Sequence, residues 1–169
     1  MKIRRGFVTN SSSSSFIIAF NSEDEIDDVI RNAVTNSAPE ADRWTHMTDE
    51  EFAEHAITYA LREIKDEKVT LEEVKQILVE EFQSRARWEL YYSTRRYYTD
   101  RGEYLNSKEY KKKEKEFVEE HVKDAMASLK NKKYISYASF SDNDGCIGSY
   151  LEHNLIPYLE ETVCSFNHH

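Results

Sequence analysis

Four glycines and two prolines are all the chain spends across 169 residues. A fold built from tight hairpins needs Gly, Pro, Asn or Asp at nearly every corner. So few breakers exclude a turn-rich all-β architecture and leave long helices as the way to house a chain that is 33% charged.

The helix signals are explicit. Ser22 followed by Glu23, Asp24 and Glu25 reads as a cap with acids in the first turn, and Ile26, Val29 and Ile30 form the apolar face of a short helix. Composition makes residues 35–44 a loop. Thr48 with Glu51 is a capping box, followed by Phe52, Ile57, Ala60, Leu61 and Ile64 at helical spacing. Thr70 with Glu73 is a second box, leading into Val74, Ile77, Leu78 and Phe82, a pattern that runs through Trp88 and Tyr91 to about Tyr98. Gly102 is expected to break it. Ser107 restarts a helix whose inward face is Tyr110, Phe117, Val118, Val122, Met126 and Leu129. Two long helices meeting near Gly102 predict an antiparallel hairpin over residues 71–130, part of a single domain 1–169 from which its far end could project.

Three β-rich runs complete the frame: residues 16–20, 134–140 and 162–166. Ser141 to Gly145 is turn chemistry, and Ile147, Tyr150, Leu151 and Leu155 form a short helix closing near Pro157. The strand–helix–strand unit at the C-terminal end fits a parallel crossover. The fold class is therefore α+β: helix-rich, with a small sheet of about three strands and a long helical hairpin.

Charge narrows the function classes. The net charge is −9, which disfavours a non-specific nucleic-acid coat. It is uneven: residues 21–82 hold 18 acids against 6 bases, and residues 83–115 hold 10 bases against 5 acids. Cys146 and Cys164 make neither a disulfide framework nor a zinc motif, so a reduced, cytoplasmic protein without a membrane partner is expected. Nothing apolar approaches the length of a membrane span. The basic start, Lys2, Arg4 and Arg5, lacks the apolar middle of a signal peptide.

Three places could carry chemistry. Ser11, Ser12, Ser13, Ser14 and Ser15 precede the first strand; they read as a linker, as an anion-cradling loop, as an edge segment bonded through its hydroxyls, or as a modification target. An anion loop normally feeds a helix rather than a strand. Asp142 and Asp144 sit before Gly145 like the opening of a cation loop, but the twelfth position is His153 where a Glu is needed, with Glu152 one early. Glu152 and His153 reach Asp142 only if the helix end folds back; otherwise the segment is a turn and a helix cap. At the hairpin tip, Arg95, Arg96, Tyr97, Tyr98 and Arg101 combine basic and aromatic groups. They suit a protein partner, self-association or nucleic acid, or form a solvated face. His46, His55, His121 and His153 show no ligand-pair spacing, with His55 and His121 expected as partly buried helix-face side chains. Cys146 beside Gly145 lies at a helix start, where a thiolate is stabilised.

GFVTNSSSSSFII and FSDNDGCIGSYLEH resemble two blocks of many small uncharacterised proteins from bacteria and their phages. The resemblance implies a microbial or phage origin and carries over no site residue. The leading expectation is a non-enzymatic interaction module using the hairpin tip. The alternative is a metal-dependent phosphoester hydrolase, with a divalent metal at Asp142 and Asp144 and the serines lining its pocket. The serines meet that loop only if the first two strands pair antiparallel.

Overall fold

The computed structural model describes residues 13–37, 47–94 and 101–167. In order they form β1 (Ser13–Phe20), α1 (Ile26–Ser37), α2 (Asp49–Asp66), α3 (Leu71–Thr94), α4 (Arg101–Asn106), α5 (Lys108–Leu129), β2 (Tyr134–Ser141), α6 (Gly145–Tyr150) and β3 (Thr162–Asn167). This is a helix-rich α+β fold with a three-stranded antiparallel sheet. The chain divides into two compact units, one built from residues up to Val69 together with those from Lys132 onward, the other spanning Thr70–Asn131.

In the first unit the strand order is β2-β1-β3, with both neighbours antiparallel to β1. β2 and β3 thus run parallel to each other with β1 between them, so the crossover through α6 joins strands that are not neighbours. β1 starts three residues before its apolar run. Ser13, Ser14 and Ser15 pair with Ser141, Phe140 and Ser139, and Ser14 and Ser15 also pair with Asn167 and Phe166 on the other side. Serine has little strand preference of its own, but a slot between two strands satisfies its backbone whatever its propensity. The register shifts at Ile17/Ile18 against β3. The outer edge of β2 is bridged by Lys68 opposite Ser136, with the Val69 N–H donating to the Ile135 carbonyl and the Tyr137 N–H to that of Glu67.

Phe16, Ile18 and Phe20 alternate onto one face of β1 and meet Tyr134, Ala138 and Phe140 of β2. Ile26, Ile30 and Val34 of α1 and Phe52, Ala56, Ala60 and Ile64 of α2 close the core over this face. Phe16 and Phe140 have ring centroids 6.0 Å apart, and Phe52 meets Tyr150 edge-on at 5.3 Å. α2 begins as its sequence dictates: the Thr48 hydroxyl accepts from the Glu51 N–H, and the Glu51 carboxylate accepts from the Thr48 N–H. α1 runs through Ser37, past the start of the expected loop; residues 38–46, which include the rest of that loop, lie outside the described ones.

In the second unit, α3 and α5 are antiparallel, since Phe82 packs on Phe117 and His121 while Arg87, further along, faces Glu114. Val74, Leu78, Phe82 and Ala86 form a buried seam at four-residue intervals. Facing them on α5, Tyr110, Val118, Val122, Ala125 and Leu129 are buried. Phe117 and Met126, expected inward, are half-buried, with Ala125 taking the interior position. Gly102 lies inside the six-residue α4 rather than at a break, and Ser107 caps α5 by accepting from the Tyr110 N–H.

Candidate functional site

β1 enters the sheet and β2 leaves it at the same place, because Ser13 pairs with Ser141. The antiparallel register therefore sets the serine run beside the Asp142 loop. Ser13, Ser14 and Ser15 are in the strand; Ser11 and Ser12 lie outside the described residues. Ser15 Oγ is 2.8 Å from Ser139 Oγ across the pair, a hydroxyl–hydroxyl bond between neighbouring strands. Ser14 points to the core side, like Phe16 two residues on.

After Ser141 the chain makes a single 3₁₀ turn, Asp142–Asp144, capped by Ser141, whose Oγ accepts from the Asn143 N–H. Gly145 follows at φ +75°, a conformation for which its missing side chain is needed. Gly148 is demanded for another reason. A Cβ placed on it would lie 2.2 Å from the Ser141 carbonyl oxygen and 2.6 Å from Asp144 Cβ. Without one, α6 lies directly on the end of β2. One turn further, the helix widens into a π-helical turn, Leu151–Leu155. Such widened turns occur often at functional sites. This one sends Glu152 inward and leaves His153 on the surface.

The helix thus folds back over the loop as the convergence requires. Asp142, Glu152 and His153 each offer a ligand atom, and these atoms lie within 4.8 Å of one another. His153 Nε2 is 3.1 Å from Asp142 Oδ1 and 3.7 Å from Glu152 Oε2. Glu152 Oε1 accepts a 2.7 Å hydrogen bond from Ser14 Oγ, which is also 3.0 Å from Asn167 Oδ1 on β3. Glu152 Oε2 is buried and has no hydrogen-bond partner among the described residues. The other buried orphan described is Ser136 Oγ, a neutral hydroxyl whose desolvation costs far less than that of a carboxylate oxygen.

Asp144 does not join the cluster. Its Oδ2 accepts a 2.8 Å bond from the Tyr59 hydroxyl of α2. Burial pushes the Tyr59 hydroxyl well above the ordinary tyrosine range, and the bond to Asp144 adds to the shift. Tyr59 is thus a fixed proton donor that holds Asp144 toward α2. The groups that converge on Asp142 are thus Glu152 and His153 rather than Asp144.

Arg95, Arg96, Tyr97 and Tyr98 lie outside the described residues, as does the side chain of Arg101. On α3, Trp88 and Tyr92 stack at 5.3 Å and are 52% and 54% exposed. His55 is exposed rather than partly buried, whereas His121 is half-buried against Phe117 at 4.0 Å, its Nδ1 2.8 Å from the Phe117 carbonyl oxygen. Cys146 is exposed. No described helix is long and apolar enough to cross a membrane. Glu152 is the residue that sequence reasoning left at the margin. Its signal was Gly148 one turn earlier, a glycine mid-helix that only a close approach explains. No protein-family model, curated protein or solved structure significantly matches the chain.

Proposed function

We propose that the protein binds a divalent cation through Asp142, Glu152 and His153, and that metal-dependent hydrolysis of phosphate esters is the activity this centre serves. The observation that carries the reading is Glu152 Oε2, buried without a hydrogen-bond partner 3.7 Å from an imidazole nitrogen. A buried carboxylate oxygen without a hydrogen bond carries a desolvation cost, and a cation between these three side chains offsets that cost. Ligand bonds of about 2.1 Å allow donor atoms a spread of about 4.2 Å around one ion. The 4.8 Å spread closes to that by small rotations of the half-exposed Asp142 and His153, while Glu152 stays fixed. One imidazole with two carboxylates suits Mn²⁺ or Zn²⁺ better than Ca²⁺, which prefers oxygen alone. Three protein ligands leave positions for a water and a substrate oxygen, the arrangement that generates a nucleophile at neutral pH.

The test is isothermal calorimetry and thermal unfolding with Mn²⁺, Zn²⁺, Mg²⁺ and Ca²⁺, on the wild type and on Glu152→Gln. Mn²⁺ or Zn²⁺ is expected to raise the melting temperature of the wild type and to leave the variant unmoved. Without cation the variant should be at least as stable as the wild type, because a buried charge is gone. A wild type that binds none of the four ions overturns the reading. Hydrolysis of p-nitrophenyl phosphate, with and without Mn²⁺, tests the activity separately.

A second reading concerns the hairpin. The stacked, exposed Trp88 and Tyr92 beside a basic stretch support an interaction surface for a protein partner, for self-association or for single-stranded nucleic acid. Sedimentation over a concentration series and titration with labelled single strands separate the last two. Loss of association in Trp88→Ala supports the surface; association unchanged by it sinks this reading.

A further inference from the structure

Ser14 ties this candidate cation site to the first residues of the sheet. Its Oγ donates to Glu152 Oε1 at 2.7 Å across a sequence separation of 138 residues, with both side chains buried. The bond is short, as expected of a hydroxyl donating to a carboxylate. Ser14 sits on the central strand, its backbone paired with Phe140 on one side and Asn167 on the other, so its side chain has little freedom to drift. Glu152 Oε1 is therefore satisfied, while Oε2, the other end of the same rigid group, is the atom left open toward His153.

We propose that Ser14 is a positioning residue for the cation: by fixing Oε1 it aims Oε2 of Glu152 at the ion, and it thereby couples cation binding to the seating of the start of β1. Outer partners of metal ligands commonly act in this way, orienting the ligand atom that bonds the ion. The coupling runs in both directions, because binding free energies are linked reciprocally. A cation held by Glu152 strengthens the hold on Ser14, and through β1 it reaches β3, where Asn167 is the strand partner of Ser14. One member of the serine run is then the outer shell of a metal centre.

This rests on the cation reading, and the experiment keeps the two apart. Mn²⁺ and Zn²⁺ affinities are measured by calorimetry for the wild type, Ser14→Ala, Ser14→Thr and Ser15→Ala. Ser14→Ala is expected to weaken binding 10- to 100-fold. Ser14→Thr, which keeps the hydroxyl, should restore most of it. Ser15→Ala, whose partner is Ser139, should bind like the wild type. A purely structural Ser14 lowers stability in Ser14→Ala without moving the affinity, and that result overturns the proposal while leaving the cation reading standing. If the wild type binds neither of these ions, nor Mg²⁺ or Ca²⁺, both fall. Should Ser14→Ala fail to fold, the wild type alone decides. Zn²⁺ must then shift the Ser14 amide resonance together with those of Glu152 and His153; a shift confined to the latter two overturns the coupling.

Discussion

In the Thr70–Asn131 unit, Lys113 pairs with Glu109 one helical turn away, and the two side chains stay 43% and 56% exposed. Lys112–Glu116, Lys115–Glu119 and Arg85–Glu89 repeat the arrangement on the same two helices. At the sheet end of the other unit, Glu152 has no exposed side-chain surface, one oxygen bonded to a serine and the other without a hydrogen bond, 3.7 Å from the His153 imidazole. The exposed pairs keep their hydration, so each contributes only about 0.3–0.5 kcal/mol and any one can be lost. The buried carboxylate has given up its hydration and needs compensation close by. Abundant charge in the hairpin therefore supports its helices, whereas a single buried carboxylate at the sheet end carries the proposed cation site.

The comparison breaks first if the hairpin depends on its ion pairs rather than its seam. Phe82 is buried between Phe117 and His121. Phe82→Ala should destabilise the protein by about 3–5 kcal/mol, the usual range for truncating a buried phenylalanine. Lys113→Ala should change stability by no more than about 0.5 kcal/mol. Urea unfolding of the two variants measures both, and losses of similar size would show that the exposed pairs carry the hairpin.

At the sheet end the matching test is Gly148→Ala. Its methyl would meet the Ser141 carbonyl and Asp144 Cβ, both parts of the turn that carries Asp142. Overpacking of this kind typically costs about 1–3 kcal/mol. Because the clash lifts α6 off the strand end, stabilisation by Mn²⁺ should disappear with it. Full stability in thermal melts, with the Mn²⁺ response intact, would mean that the close approach does not seat Glu152.

What could be read from the sequence follows the same divide between local and distant causes. Thr48 with Glu51 and Thr70 with Glu73 form their boxes within four residues, so both helix starts were legible. Ser107 as the cap of α5 was legible for the same reason. The inward stripe of α5 was read nearly correctly; only the exchange of Ala125 for Met126 and Phe117 escaped, since periodicity does not fix a stripe to one position. Ser13 to Ser15 looked like a lead-in to β1 because their strand character comes from two neighbouring strands rather than from their own preference. Asp142 was visible as a turn acid. Its partners Glu152 and His153 were legible only as a condition, that the helix end folds back, because they arrive through the bare surface of Gly148 and a widened helical turn, neither of which has a simple spacing rule.

The capping boxes are what the two regions share, and they give the smallest effect. Thr48 opens α2 in one unit and Thr70 opens α3 in the other, so Thr48→Ala and Thr70→Ala should each cost about 1 kcal/mol. A loss much larger in one than in the other would mean that a cap carries a tertiary role there. The acid partners add a pH dependence. The Thr48 backbone N–H holds the Glu51 carboxyl below the ordinary glutamate range, and the Thr70 backbone N–H does the same for Glu73. A carboxyl depressed in the folded state contributes stability that is fully present above its unfolded value of about 4.3. That contribution is lost as the pH falls through the lower folded value. Glu51→Gln and Glu73→Gln keep a capping side chain but remove the titration. Each should be slightly less stable than the wild type at pH 7, with the difference shrinking toward pH 3. A difference that stays constant over that range in urea midpoints would assign the caps to neutral hydrogen bonding and remove the carboxylates from their stability.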